Sequence, residues 1–350
     1  MSNYRNLISA TAGAVVATGL FLAGASAPAL AADVTLRLHQ MLPPQASVPK
    51  NILEPWMARL KEESGGRIEV QHYPAMQLGG KPPELIDQAI DGVADIVWTL
   101  PGYTPGRFPR TEVFELPFVM TDAEAVSRAF WQLAEETMLD QDFKDMKVLG
   151  LWVHGPGLIH SKQPIEQLGD LNGVKLRAPT RVTNGMFSEL GATPVGMPIP
   201  AVPEALSKGV IDATVVPWEV TGALKINELV DYHTDFGEDA LYTATFVLAM
   251  NRATYDALPD DLKAVIDTNS GLELSGFAGR QMQLDDAGPR DAAIAKGAVI
   301  IDLAPEEVAR WKEATSPTKD KWIAEMDENG LDGSGLYQRA MELIEANTER

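Results

Sequence analysis

The 350-residue sequence contains no cysteine. That absence excludes a disulfide scaffold, a thiol nucleophile and any zinc or iron–sulfur centre held by thiolates, and it suits an oxidising compartment. Basic charge is also in short supply: 29 Lys and Arg stand against 49 Asp and Glu, a net charge of −20. A duplex nucleic-acid binder or a protein held on anionic lipid needs the opposite balance at its contact, so neither nucleic acid nor a lipid surface is an expected partner. Histidine is limited to His39, His72, His154, His160 and His233, none spaced to place two imidazoles on adjacent helical turns. No metal site is expected from them.

The recurring motifs of cofactor and catalytic sites are missing as well. Gly155-Pro156-Gly157 lacks the third glycine of a dinucleotide loop, and Gly79-Gly80-Lys81 lacks the spaced glycine and hydroxyl of a phosphate loop. Gly333-Ser334-Gly335 is not a nucleophile elbow, and Asp327-Glu328-Asn329-Gly330 is too short for a calcium loop. No cofactor, no catalytic residue and no enzymatic activity are expected. A catalytic pair among 49 acidic residues would leave no trace in sequence, so a periplasmic hydrolase stands as the weaker alternative.

What is present is a globular composition, 45% hydrophobic and 22% charged, in a chain long enough for two compact lobes. Arg5 precedes an apolar run over residues 7–22, followed by Ala29-Leu30-Ala31, a small-x-small cleavage pattern. Residues 1–31 therefore read as a cleavable signal peptide. Thr11, Gly13, Thr18 and Gly19 interrupt the run, which falls short of the ~20 strongly apolar residues a membrane span prefers. No cysteine follows to accept a lipid anchor, so the expected product is free in the periplasm. Losing Arg5, the one charged residue of that segment, takes its net charge to −21.

After the leader, residues 34–39 and 68–73 alternate like strands, 94–98 reads as a more buried strand, and 53–63 and 83–90 repeat apolar positions at helical spacing. This β-α-β-α-β order predicts parallel pairing with right-handed crossovers. A second α/β cycle follows, with strands at 148–153, 174–177, 193–197 and 211–216 and helices at 181–190 and 203–208. Residues 242–250 return as a strand, and helices are expected over 261–283, 305–326 and 336–345. The fold class is α/β, with a ligand cleft between two lobes as the default binding site.

Three stretches carry a resemblance in their order and spacing. The first joins Gly65-Gly66-Arg67-Ile68-Glu69-Val70, Gln77-Leu78-Gly79-Gly80 and Asp91-Gly92-Val93-Ala94-Asp95-Ile96. The second is Phe114-Glu115-Leu116-Pro117-Phe118. The third runs from Asp170-Leu171-Asn172-Gly173-Val174-Lys175-Leu176-Arg177-Ala178-Pro179 through Gly191-Ala192-Thr193-Pro194-Val195 to Ala205-Leu206-Ser207-Lys208-Gly209-Val210-Ile211-Asp212. Together they resemble the DctP-type solute-binding proteins of tripartite ATP-independent periplasmic (TRAP) transporters, across nearly the whole mature chain. The resemblance implies the two-lobed periplasmic binding protein fold, with mixed sheets and a long hinge-spanning helix, for which 261–283 is the candidate. Lobe boundaries then fall at 32–154 plus about 243–282, and 155–242 plus about 283–350. It also implies capture of a small organic anion and its delivery to ion-driven TRAP permease subunits.

Arg177 matches the family arginine that pairs with a ligand carboxylate, a role its planar fork of donors suits. Sialic-acid receptors of the family carry a second arginine in the segment that here reads His154-Gly155-Pro156-Gly157-Leu158-Ile159-His160, so a single anchor is expected. Where relatives continue with polar Gln-Glu-Asn, this chain has Ala213-Thr214-Val215-Val216-Pro217-Trp218. Val216 and Trp218 would offer an apolar or aromatic ring a wall that a polyol could not use. Strand ends of the first lobe add His39, Gln40, Trp98 and Tyr103 as positional candidates, and His154 joins them from the segment that holds the second arginine in sialic-acid receptors. The expected ligand is an aromatic, hydroxy or oxo monocarboxylate. A sugar acid or zwitterion is the alternative.

Overall fold

The computed structural model describes residues 32–237 and 239–348; the expected signal peptide lies outside the described residues. The strands are β1 Val34–Gln40, β2 Ile68–Tyr73, β3 Ile96–Thr99, β4 Met146–Val153, β5 Leu158–Ser161, β6 Lys175–Ala178, β7 Thr193–Gly196, β8 Ala213–Val216, β9 Tyr232–Asp235, β10 Thr245–Asn251 and β11 Val299–Asp302. They form a five-stranded sheet in the order β2-β1-β3-β10-β4 and a six-stranded sheet in the order β11-β9-β5-β8-β6-β7.

In the first sheet β1 runs parallel to β2 and β3, as the β-α-β-α-β pattern predicts, while β10 inserts antiparallel between β3 and β4. All seven residues of β10 and all four of β3 are buried, which accounts for their unbroken apolar runs. In the second sheet β6 is parallel to β7 and β8, and β5 is antiparallel to β8 and β9. The short strands β5, β9 and β11 are not among those the sequence predicts.

The chain passes from the first sheet to the second at residues 154–157 and returns at 236–244. The two passages run side by side: Gly157 N–H donates to Tyr242 O at 3.0 Å, and Thr243 Oγ1 donates to His154 O at 2.8 Å. A third connection corrects the sequence reading. Instead of one helix over 261–283 there are two, Asp260–Thr268 and Leu272–Leu284. Gly271 between them sits at φ +83°, outside helical space, and its N–H donates to Leu149 O of β4 at 2.7 Å. A tertiary hydrogen bond and a left-handed glycine thus stop a helix that local periodicity would continue.

Helix Leu272–Leu284 lies against helix Ala123–Thr137. The approach is close enough that a Cβ on Gly279 would strike the Ala123 carbonyl and the Ser127 hydroxyl. It leads on to helix Ala287–Ala295, which packs on helix Trp218–Ala223 of the other sheet's layer. Helix Pro305–Glu328 packs on Arg181–Glu189, and the C-terminal helix Gly333–Thr348 comes back to Ala123–Thr137 beside the first sheet.

Candidate ligand-binding site

Where the crossing strands meet the carboxyl ends of β3, β6 and β8, side chains from both sheets enclose a cavity of about 400 Å³, its mouth included. Arg177, the third residue of β6, is buried inside it. Its Nε donates to Met197 O at 2.9 Å, one Nη to Val215 O at 3.2 Å, and the other Nη reaches the Tyr103 hydroxyl at 3.5 Å. Of the five guanidinium N–H groups three are engaged, which leaves one on each terminal nitrogen. No acidic side chain pairs with Arg177 among the described residues. A buried guanidinium oriented by backbone carbonyls, with a donor left over on each terminal nitrogen, has the chemistry to hold one carboxylate.

Tyr103 closes this end. Its hydroxyl accepts the Ile199 N–H at 2.9 Å, so a residue following β3 of the first sheet is tied to the loop after β7 of the second. Burial pushes the phenol's pKa up, opposed by Arg177 and the Ile199 N–H, so its proton stays available for donation. Tyr242 faces the same region, and burial raises its pKa too.

The walls are apolar. Trp98 and Phe246 lie stacked with centroids 5.1 Å apart and planes 13° from parallel, and Trp152 backs them at 6.4 Å from Trp98. Met41, Leu42, Leu100 and Val216 fill the remaining wall. His154 is a bracket in the crossing strand: its Nδ1–H donates to Gly155 O at 2.5 Å and its Nε2 accepts the Ala244 N–H at 3.0 Å. Burial, with the Arg177 charge adding to it, lowers its pKa to about 4. It is therefore neutral at physiological pH and supplies no second cation.

Residues 39–325 match the profile of bacterial extracellular solute-binding protein, family 7. The chain belongs to that family. A TRAP solute-binding protein of Rhodoferax ferrireducens T118, solved with copurified benzoate, is 50% identical, with a TM-score of 0.89 over 90% of this chain and 99% of that one. A marine metagenome TRAP solute-binding protein specific for aromatic acid ligands, solved with 3-hydroxybenzoate, is 46% identical, with a TM-score of 0.88 over 91% and 99%. The C4-dicarboxylate-binding periplasmic protein DctP of Rhodobacter capsulatus is 27% identical over 91% of this chain and 93% of its own.

Of the residues singled out in the sequence, this family 7 protein brings Arg177, Tyr103, Trp98, Val216 and His154 to one cavity. His39, Gln40 and Trp218 stand elsewhere. His39 Nδ1 bonds Gln88 Oε1 at 2.6 Å and its Nε2 accepts the Leu78 N–H at 3.3 Å, so the ring braces the 77–80 turn. Gln40 folds onto the backbone of Leu42, donating to its carbonyl at 2.8 Å and accepting its N–H. The chain therefore reaches the cavity one turn later, at Met41 and Leu42. Trp218 points away because Pro217 starts a helix there. It packs with Leu158 and Ala293 and rests on His160 and His233, with ring centroids 4.9 and 4.5 Å away, while Glu219 and Val220 face the cavity. Tyr242, Ala244 and Phe246 were missed, although their i, i+2 spacing along a predicted strand is a legible signal for one face.

Buried ionisable groups give the family 7 protein a signature in pH. Burial pushes Glu219 up to about 8, and Glu115 and Asp286 up to about 7; it lowers His154 and His233 to about 4 and His160 to about 3. A carboxyl raised on folding contributes stability that is complete below its unfolded value near 4 and is lost as pH climbs through 7 to 8. A histidine lowered on folding contributes stability that is complete above about 6.5 and is lost as pH falls through 4. The melting temperature should therefore peak between about pH 5 and 6.5 and decline towards pH 8. Asp286→Asn should flatten the alkaline decline. Equal melting temperatures at pH 6 and 8 in the parent would contradict the assignment.

Proposed function

We propose that the protein is the periplasmic receptor for an aromatic monocarboxylate, which it delivers to an ion-coupled TRAP permease. One observation carries this reading: a single buried guanidinium fork, free of any acidic partner among the described residues, ends a cavity walled by Trp98, Phe246, Leu42 and Val216. The fork fits one carboxylate, and the stacked walls fit a flat apolar body, which gains about 25 cal/mol for each Å² removed from water. A sugar acid would bring several hydroxyls against Met41, Leu42, Leu100 and Val216, where they would lose water without finding partners. Copurified benzoate and bound 3-hydroxybenzoate in relatives 50% and 46% identical support the same class.

Ligand capture with closure of the two lobes is part of the proposal. A ligand held by Arg177 and Val216 on one side and by Trp98 and Tyr103 on the other favours the closed form through contacts that exist only there. In a thermal-shift panel, benzoate, hydroxybenzoates and mandelate should raise the melting temperature through mass action, and glucuronate and galacturonate should not. A shift with uronates alone would reverse the ligand class, and chemical turnover of a bound acid would reinstate the hydrolase. Uptake into vesicles carrying both permease subunits should need the receptor, its ligand and an ion gradient, but no ATP.

A further inference from the structure

Glu219 lines the same cavity as Arg177 and is a carboxyl that carboxylate capture does not use. It is buried, lines the same space as Trp98 and Phe246, and has no cation within ion-pair distance among the described residues. The charges that act on it are Asp285 and Asp286, both of its own sign, and not Arg177, which does act on Tyr103, His154 and Tyr242. Its placement is over-determined. Ser47 Oγ donates to Oε2 from the first lobe, the Glu219 N–H donates to Asp286 Oδ1 at 2.8 Å, and Asn51 Nδ2 donates to Asp285 at 2.8 Å. Its second carboxyl oxygen has no hydrogen-bond partner among the described residues.

From this arrangement we propose that Glu219 is a specificity-determining residue, whose carboxyl group recognises a hydroxyl borne by the ligand on the side remote from its carboxylate. The inference rests on the aromatic-monocarboxylate reading and narrows it. Burial, with the neighbouring Asp286 and Asp285 adding to it, raises Glu219 to about 8 and keeps most of the group protonated at neutral pH. A protonated carboxyl offers one donor and one acceptor, and a hydroxyl both accepts and donates. The adjoining wall of Met41, Leu42, Pro217 and Val220 offers such a hydroxyl nothing else. An unsubstituted ring leaves the carboxyl desolvated and unmatched. A second ligand carboxylate beside Glu219 would find no cation to pair with among the described residues.

The test is calorimetric titration at about pH 6, where the carboxyl stays protonated, with benzoate, 3-hydroxybenzoate, 4-hydroxybenzoate and isophthalate. The parent should bind one hydroxybenzoate about tenfold or more tighter than benzoate, and isophthalate more weakly than either. Glu219→Gln, which keeps a donor and an acceptor, should retain that preference. Glu219→Met, which removes both the donor and the acceptor, should bring the ratio of hydroxybenzoate to benzoate affinity within about threefold. Should Glu219→Met fail to fold, Ser47→Ala frees the carboxyl from its anchor and should lower the ratio by itself. A parent without preference, or a preference unchanged in Glu219→Met or in Ser47→Ala, overturns the role of Glu219. Binding of none of these acids by the parent would instead sink the aromatic-acid reading, and this inference with it.

Discussion

Replacing Arg177 by alanine should weaken binding of an aromatic monocarboxylate by about 2–5 kcal/mol, between roughly thirtyfold and several thousandfold. The ligand carboxylate would enter a largely apolar cavity with no cation left among its described lining residues, where the Tyr103 and Tyr242 hydroxyls and a neutral His154 remain. Two phenols donate hydrogen bonds but do not balance a charge. Part of the loss has another origin, because Met197 O and Val215 O surrender their donors at 2.9 and 3.2 Å. Arg177→Lys separates the two effects. It restores a positive charge near the carboxylate without the fork, so it should recover only part of the affinity, while the melting temperature without ligand reports on the orphaned carbonyls. Unchanged affinity in both variants would remove Arg177 from the site.

The next largest effect should come from a methyl group. A Cβ added at Gly157 would fall on the ring of Tyr242, whose carbonyl accepts the Gly157 N–H from the neighbouring crossing strand. Tyr242 is almost wholly buried, with His154 edge-on at 5.4 Å and the cavity beside it. Its ring can yield only by moving into the ligand's space or by separating the crossing strands. Gly157→Ala should lower stability by about 1–3 kcal/mol through overpacking and reduce ligand affinity by about tenfold or more. The double variant Gly157→Ala, Tyr242→Ala should recover stability relative to the sum of the single changes, since the clash is then gone. Additive losses would show that Gly157 acts on something other than Tyr242.

Much of the first sheet is readable in one dimension because its causes are local. Residues 34–40 alternate, β3 and β10 are continuous apolar runs, and the helices between the early strands carry amphipathic spacing. Arg177 is readable for the same reason: it stands near the end of a strand in a parallel α/β unit, where such folds place their ligands. Trp98, Tyr103 and Val216 follow from that rule as well. His39 and Gln40 obey it in position but not in direction, because their side chains are claimed by Gln88 and by the backbone of Leu42. Strand periodicity says nothing of such competitors.

By itself, then, the sequence determined an acidic, thiol-free α/β protein with alternating strands, one strand-end arginine and an apolar stretch at Val215-Val216. Tertiary structure decided the rest. Gly271 breaks the expected helix because Leu149 O captures its N–H, and Pro217 turns Trp218 away while presenting Glu219. Tyr242 and Phe246 share a cavity with Arg177 because the return passage leads into β10 between β3 and β4, more than sixty positions along the chain from the arginine. The physical reason is common to all three. A residue's type and period report the face it prefers, but the partner that occupies its hydrogen bonds or its volume comes from a distant segment, and only packing brings that segment near.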